Sequence, residues 1–160
     1  MLETETIGIR FEISREYLNH FAQLFENFPV EKYTWYVSCS ENYSSSNGKI
    51  HRFLPNGIYS GDEFSTIIHS ELKYYIHLIV LFAVPTGDAF DTNIIDSYAD
   101  YIKSNAEIAL LSADSFVDLY IKDHNALKNI FTSCNKYYSN GAIPLEWSTS
   151  KNDGREKFKV

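Results

Sequence analysis

Residues 74–85 read YYIHLIVLFAVP and include the longest uninterrupted apolar run of the 160-residue chain, residues 78–84. Hydrophobic residues occupy both sides of this segment, which is typical of a central strand covered on both faces of a sheet. A buried helix is the competing interpretation, because periodicity alone does not separate the two in a short apolar run. The branched side chains of Ile76, Ile79, Val80 and Val84 favour the strand. We therefore predict a central strand that ends at Pro85.

Alternation of apolar and polar residues predicts half-buried strands on either side of this run. The predicted strands cover residues 7–13, 33–39, 49–53, 108–111, 117–121 and 143–149, with a last strand after the turn at residues 152–154. Residues 40–48 are polar and predict a loop or a hairpin tip. The strands at residues 108–111 and 117–121 are close enough in sequence to form a hairpin.

Apolar residues at helical spacing predict four helices between these strands. The first starts at Ser14 and ends before Pro29, and the second starts with a capping box at Ser60 and Glu63. The third helix is capped by Asp91 or Thr92 and runs to residue 102. The fourth is capped by Asp123 and ends at Asn140 and Gly141.

From residue 73 onward the predicted order is strand, helix, strand, strand, helix, strand, which is the ferredoxin-like or split βαβ order. We therefore predict an α+β fold with a mixed, mainly antiparallel sheet and helices largely on one side. The ferredoxin-like βαββαβ order applies to the second half. The length suits a single α+β domain spanning residues 1–160.

The charge balance disfavours several classes of partner. The chain has 21 acidic and 14 basic residues, a net charge of −7, and no Lys/Arg cluster before its last ten residues. Nucleic acid and anionic membrane surfaces are therefore not expected partners. Nucleic-acid binding would require one patch formed by Lys151, Arg155, Lys157, Lys159, Arg10 and Lys122. A protein partner with a basic surface, or a small uncharged ligand, fits the charge better.

The cellular compartment of the protein can be predicted from targeting signals and from cysteine usage. The acidic amino-terminal residues lack the pattern of a signal peptide, and Cys39 and Cys134 form neither a disulfide framework nor a CxxC unit. No apolar run approaches the length that spans a bilayer. We therefore expect a cytoplasmic protein with no membrane segment.

Residue types that carry chemistry are scattered through the sequence. The five histidines lie in five different segments, and Cys134 lies on the apolar stripe of the last helix. We therefore predict no catalytic residue, no metal site and no cofactor. One alternative remains open: a hairpin over residues 40–50 would let His51 approach Cys39. Tyr36 and Tyr59 would then complete an enzyme or ligand site between the sheet and the 40–61 loops.

Two surfaces are candidates for binding. If the alternating strands are neighbours, one sheet face carries Arg10, Tyr36, Phe116 and Tyr120 and is mixed in charge. The second is the acidic segment 88–123, where Asp96 and Asp100 share a helix face at i,i+4 spacing. Ordinary hydrated sheet surface and a solvated acidic face are the alternative interpretations. The sequence thus predicts a non-enzymatic protein-interaction or regulatory module, with the small-molecule site as the alternative.

Several local patterns coincide along nearly the whole chain. They are IRFEI at residues 9–13, KYTWY at 32–36, LL at 110–111 before DS at 114–115, YIKD at 120–123 and NDGR at 152–155. Together they resemble an uncharacterised family of small proteins from bacilli and related Gram-positive bacteria. The resemblance implies a bacterial protein of unknown function and brings no catalytic or binding residue with it.

Overall fold

The computed structural model describes residues 6–13, 19–46, 48–70, 73–113, 116–138 and 142–146. The strands are β1 (Thr6–Glu12), β2 (Tyr33–Ser46), β3 (Lys49–Arg52), β4 (Gly57–Tyr59), β5 (Lys73–Pro85), β6 (Ile108–Ala113), β7 (Phe116–Ile121) and β8 (Ala142–Glu146). The α-helices are α1 (His20–Leu24), α2 (Gly61–Ile68), α3 (Tyr98–Lys103) and α4 (His124–Tyr137), with 3-10 turns at Val30–Lys32 and Thr92–Ile94. The predicted α+β fold is confirmed.

The predicted central strand is β5. The eight strands form one sheet in the order β3-β2-β5-β6-β7-β1-β8, with β4 paired to β2, and every pairing is antiparallel. All residues of β5 from Ile79 to Val84 are buried. The strand interpretation of the apolar run is therefore confirmed, and the buried-helix alternative is excluded.

Successive residues of β5 point to opposite faces of the sheet and enter different cores. Ile79 and Leu81 belong to the larger core, which also contains residues of α1, α2 and α4. Val80 and Phe82 belong to a smaller core with Tyr98 of α3. Three helices therefore cover one face, which we call the helical face, and α3 lies on the opposite face. The prediction of helices largely on one side is confirmed.

Local capping sets the start of two helices as predicted. Ser60 Oγ accepts a hydrogen bond from the Glu63 N–H at 3.1 Å, and Glu63 Oε1 accepts one from the Ser60 N–H at 3.4 Å. Asp123 Oδ1 accepts from the N–H groups of Asn125 and Ala126 at 2.9 and 3.2 Å. The predicted end of α4 at residues 140–141 and the predicted strand after residue 152 lie outside the described residues.

The predicted helix over residues 91–102 is wrong in its extent. Asp91 caps only a 3-10 turn, accepting from the Asn93 N–H at 2.9 Å. A separate capping box of Ser97 and Asp100 starts α3. Ser97 has extended backbone, with φ −141° and ψ 170°, so the helical conformation cannot run through it.

Two other element boundaries differ from the predictions. Within the described residues α1 covers only His20–Leu24, while the predicted cap Ser14 lies outside them. The hairpin-tip interpretation of residues 40–48 is confirmed in a narrower form and the loop interpretation is wrong for residues 40–46, because β2 continues to Ser46 and pairs with both β3 and β5. Its polar residue Asn42 is buried, donating its side-chain amide to the Leu54 carbonyl at 3.2 Å and accepting from the Leu54 N–H.

The second half has the predicted order of elements, but its pairing is not ferredoxin-like. β5 and β6 are antiparallel neighbours, whereas a βαβ crossover makes its two strands parallel. In addition, β1 pairs between β7 and β8. The chain turns back over the face opposite the helical face after Pro85 and re-enters the sheet with Ile108 opposite Ala83. The segment that contains α3 is thus a long hairpin connection.

Candidate interaction surface

The predicted sheet-face residues lie on the face opposite the helical face. Across β1 and β7, Arg10 lies opposite Asp118, Glu12 opposite Phe116 and Gly8 opposite Tyr120. Directly opposed residues of antiparallel strands point to the same side of the sheet. On β2, Tyr36 lies opposite Phe82, a residue of the smaller core on that same face.

One end of this face is covered by the segment that contains α3. Tyr120 is completely buried, with its ring centroid 5.0 Å from that of Tyr98 and 6.3 Å from that of Tyr101. Tyr36 is half-buried, and its ring centroid lies 5.1 Å from that of Phe90. Tyr120 therefore serves packing and is not accessible to a partner, because α3 covers a position that alternation alone leaves open.

A glycine permits this close packing. A Cβ atom on Gly8 would lie 2.7 Å from Tyr120 Cδ1 and would also collide with the backbone carbonyl of Leu119. Such a contact requires the neighbouring strand or the tyrosine to move. Gly8 thus allows β1 to approach β7 beneath the covered tyrosine cluster.

The other end of the face is uncovered. One cross-strand row runs through Glu41, Leu78, Ala113, Phe116 and Glu12, on β2, β5, β6, β7 and β1 respectively. Phe116 is 53% exposed, and Leu78 is half-buried. We call this row, together with Leu111 and Arg10 in the neighbouring row, the open patch. It is apolar in the middle and acidic at both ends.

Arg10 is already engaged in an ion pair within the open patch. Its Nε and one terminal nitrogen donate to the two carboxylate oxygens of Asp118 at 2.6 and 2.8 Å. This bidentate geometry is the strong form of an arginine–carboxylate contact. The Arg10 side chain is 42% exposed and that of Asp118 is 10% exposed. The pair therefore adds a polar border to the apolar row without a net charge.

The predicted acidic pair has a local structural role. Asp96 precedes α3, so it does not share a helix face with Asp100. Asp100 Oδ2 accepts hydrogen bonds from the backbone N–H groups of Asp96 and Ser97 at 3.0 and 3.1 Å. These bonds, the one from Asp96 first, hold the pKa of Asp100 below its ordinary value. We therefore assign Asp100 to capping.

The alternative small-molecule site is not assembled by the fold. His51 lies opposite Ser44, which is about 16 Å along β2 from Cys39 at the usual strand rise. Tyr59 lies opposite Trp35 and points to the helical face, and its hydroxyl donates to the Pro55 carbonyl at 2.6 Å. Tyr36 lines a groove of about 290 Å³ together with Ile58, Phe90 and Thr92.

Burial argues against a nucleophilic role for Cys134. Burial raises the pKa of the Cys134 thiol to about 12, so the thiolate required of a nucleophile is scarce at neutral pH. The described residues contain no group of three or more His, Cys, Asp or Glu side chains that could hold a metal ion. None of the described helices has the length and apolar character needed to cross a membrane.

Comparison with known proteins places the chain in a family. A family model described as a protein of unknown function, DUF2691, matches residues 6–159. The chain belongs to this family. It is also similar to the uncharacterized protein YncE of Bacillus subtilis strain 168, with 26% identity over 157 residues that cover 96% of this chain and 98% of YncE. No solved structure matches the chain.

The predicted relationship to an uncharacterised family from bacilli is confirmed by the DUF2691 match. The family description names no activity, so the open patch is defined by geometry alone. Sequence reasoning missed Leu78, Leu111 and Ala113, because each belongs to a strand that reads as uniformly apolar. The signal that would have found them is the register of the hairpin β6-β7, which puts Ala113 opposite Phe116.

Proposed function

We propose that this member of the DUF2691 family is a non-enzymatic protein-interaction module that binds a protein through the open patch. The observation that carries the proposal is the exposure of Phe116, which lies between Ala113 and Glu12 at one end of the apolar stretch of the cross-strand row. Contiguous apolar surface with a polar border is typical of a site where another protein docks.

The anatomy of the open patch supports this function. Phe116 supplies a large aromatic side chain, a type enriched at protein interfaces. Leu78, Leu111 and Ala113 extend the apolar surface across two neighbouring strands. Arg10, held by Asp118, borders the row on β1. The rigid sheet presents these side chains in a fixed arrangement, which lowers the entropic cost of binding.

The groove at Tyr36 supports a second candidate function, the binding of a small apolar or aromatic ligand. Its volume of about 290 Å³ lies at the lower limit for ligand pockets. Tyr36 and Phe90 provide ring faces, and the carboxylate of Asp91 is occupied as a cap. A fragment screen by NMR tests it: ligands must shift the resonances of residues 36 and 90, and a screen that shifts neither excludes the groove.

Site-specific photo-crosslinking tests the interaction module. A photo-crosslinking amino acid in place of the exposed Ala113 should capture a protein in lysate of the native host, and mass spectrometry identifies the product. The matched control carries the same amino acid in place of Thr66, which is exposed on α2 at the helical face. The Phe116→Asp substitution should abolish capture at position 113, since it places a charge in the apolar row.

The test is decided by whether capture at position 113 depends on Phe116. Capture at position 113 that is lost with Phe116→Asp, and absent at position 66, supports the module. No capture at position 113, or capture that Phe116→Asp leaves unchanged, overturns it. Circular dichroism of each variant verifies the fold, which the exposed position of Phe116 should preserve.

A further inference from the structure

We propose that a groove between α3 and β1 binds an amphiphilic anion, whose aliphatic chain lies on apolar walls while its carboxylate pairs with a lysine at the rim. This groove, which we call the α3 groove, has a volume of about 400 Å³. The residues that line it are Ile7, Tyr98, Ala99, Ile102 and Lys103. They differ from the described residues of the groove at Tyr36 and of the open patch, so the inference goes beyond the proposed function and does not depend on it.

The walls of the α3 groove are apolar because of the way the helix lies on the sheet. Tyr98 and Ile102 are four residues apart on α3, so their side chains lie on one side of the helix. Ala99 is half-buried beside them. Across the groove, Ile7 packs from β1 against the smaller core. One turn of helix and the first residues of β1 thus form a continuous apolar lining.

The aromatic wall of the groove is held in place by the tyrosine cluster beneath α3. Tyr98 is buried, and its ring centroid lies 5.7 Å from that of Tyr101 and 5.0 Å from that of Tyr120. Tyr120 belongs to β7, so the sheet itself fixes the position of this wall. A wall that is ordered before binding lowers the entropic cost of taking up a ligand.

Size and exposure fit an aliphatic chain. The volume of about 400 Å³ lies within the range of small-molecule sites, which are mostly apolar and contain few polar groups. Ile102 is 48% exposed, which is unusual for a large apolar side chain beside a cavity. A chain of methylene groups laid along Ile7 and Ile102 would remove apolar surface of both from water, and the gain in free energy grows with the area covered.

Lys103 determines the charge of the ligand. It is the last residue of α3, is exposed, and forms no ion pair with any residue that the structure describes. Its apolar stem extends the wall while its ammonium group stays in water at the rim. Asp100, the acidic residue of α3, is engaged at the start of the helix, where its carboxylate accepts from the N–H groups of Asp96 and Ser97. A cation beside apolar walls favours an anionic head group on an apolar chain.

Titration of the full chain with octanoate, followed in methyl NMR spectra, tests the site. The resonances of Ile7, Ala99 and Ile102 should shift, with a dissociation constant of about 1 mM or tighter. The matched control is Ile58 in the groove at Tyr36, whose resonances should stay in place. Octanoate should bind at least about tenfold more tightly than hexanoate, since each buried methylene group adds about fourfold in affinity. If about 10 mM octanoate leaves the three groove residues unshifted, the proposal is wrong.

The head group separates the role of Lys103 from that of the apolar walls. The chain should bind octanoate more tightly than octylammonium, although its net charge of −7 by itself favours the cation. Lys103→Glu should weaken octanoate by about fivefold, reverse this preference, and leave neutral octanol within about twofold. The matched control is Lys128→Glu at an exposed position of α4, which changes the net charge equally and should keep the preference. A preference that Lys103→Glu leaves unchanged contradicts an anionic ligand.

Changing the shape of the groove tests the place of the aliphatic chain. Ala99→Leu should weaken octanoate by about tenfold, because the larger side chain occupies the groove, and leucine is a good helix former. Ile102→Asn removes part of the wall at an exposed position and should also weaken octanoate by about tenfold. Circular dichroism verifies the fold of both variants, and the second variant decides the test if the first does not fold. Octanoate affinity within about twofold of the original in the folded variants overturns the proposal.

Discussion

Arg10 and Asp118 form an ion pair whose two members differ in exposure, so their removal should have unequal effects. The Asp118 side chain is far more buried than that of Arg10. Arg10→Met leaves a buried carboxylate without its counter-charge, and we expect the free energy of unfolding to fall by about 2–3 kcal/mol. Asp118→Asn should cost less, because water can solvate the exposed arginine. Urea denaturation measures both changes.

The control for this prediction is Arg52→Met, which removes an exposed arginine that forms no ion pair with any residue the structure describes and should change stability by no more than about 0.5 kcal/mol. Combining Arg10→Met with Asp118→Leu should recover most of the loss, since two apolar side chains replace the pair. An Arg10→Met variant as stable as the original chain would show that Asp118 is hydrated rather than buried.

Cys134 provides a residue-level measure of core integrity. Its thiol is completely buried, and burial raises its pKa to about 12, so the reactive thiolate is scarce at pH 8. In a Cys39→Ser variant, where Cys134 is the remaining thiol, Ellman's reagent should label the urea-unfolded chain at once. The native chain should be labelled only at the rate of opening. Rapid labelling of the native chain at pH 8 contradicts the assignment.

Single positions also show what alternation can predict. The pattern of β1 and β7 correctly indicates that Arg10 and Tyr120 share a side, since side-chain direction repeats every two residues. It does not indicate exposure, which depends on a distant segment. Tyr120 is buried by Tyr98 and Tyr101, whereas Phe116, four residues earlier on the same strand, is exposed.

At the scale of elements, the capping box of α2 makes a sharp prediction. Ser60→Ala removes the acceptor for the Glu63 N–H and should lower the free energy of unfolding by about 0.5–2 kcal/mol. The matched control is Thr66→Ala, at an exposed position within the same helix, which should be neutral or slightly stabilising because alanine is the better helix former. Thermal denaturation of both variants measures the difference; equal losses would show that the cap contributes nothing specific.

Elements set by neighbours in sequence could be predicted, and elements set by distant contacts could not. Ser60 and Asp123 cap helices through residues two or three positions away, so the local sequence contains the whole signal. The extension of β2 through polar residues depends on the bond between Asn42 and Leu54. The division of residues 91–103 depends on Ser97, whose cap competes with that of Asp91.

At the scale of the molecule, the order of elements was predictable but their pairing was not. A strand followed by a helix and another strand permits either a crossover to a parallel strand or a long hairpin connection to an antiparallel strand. Only the path of residues 86–107 distinguishes the two connections. The open patch has the same origin. It joins side chains from five strands through the registers of β2 with β5, β5 with β6, β6 with β7 and β7 with β1, which no single segment encodes.

Unequal cores on the two faces should give the molecule unequal local stability. The core beneath α3 is the smaller one, and α3 has only six residues. Segments with few buried contacts open below the free energy of global unfolding. In native-state hydrogen exchange, the amides of Tyr101 and Ser104, bonded to Ser97 and Asp100, should therefore open at a free energy at least about 2 kcal/mol below that of β5 and β6.

Removal of the Tyr101 hydroxyl tests why α3 should open at a lower free energy than β5 and β6. The hydroxyl donates to the Glu107 carbonyl at 2.6 Å and so ties α3 to the start of β6. Tyr101→Phe should lower the opening free energy of α3 by about 1 kcal/mol and leave β5 unchanged. The matched control is Tyr137→Phe on α4, whose hydroxyl donates to Glu26 on the helical face and should not affect α3. If the amides of α3 exchange at the same opening free energy as those of β5, the two faces unfold as one unit, because α3 is then no less stable than the sheet on which it packs.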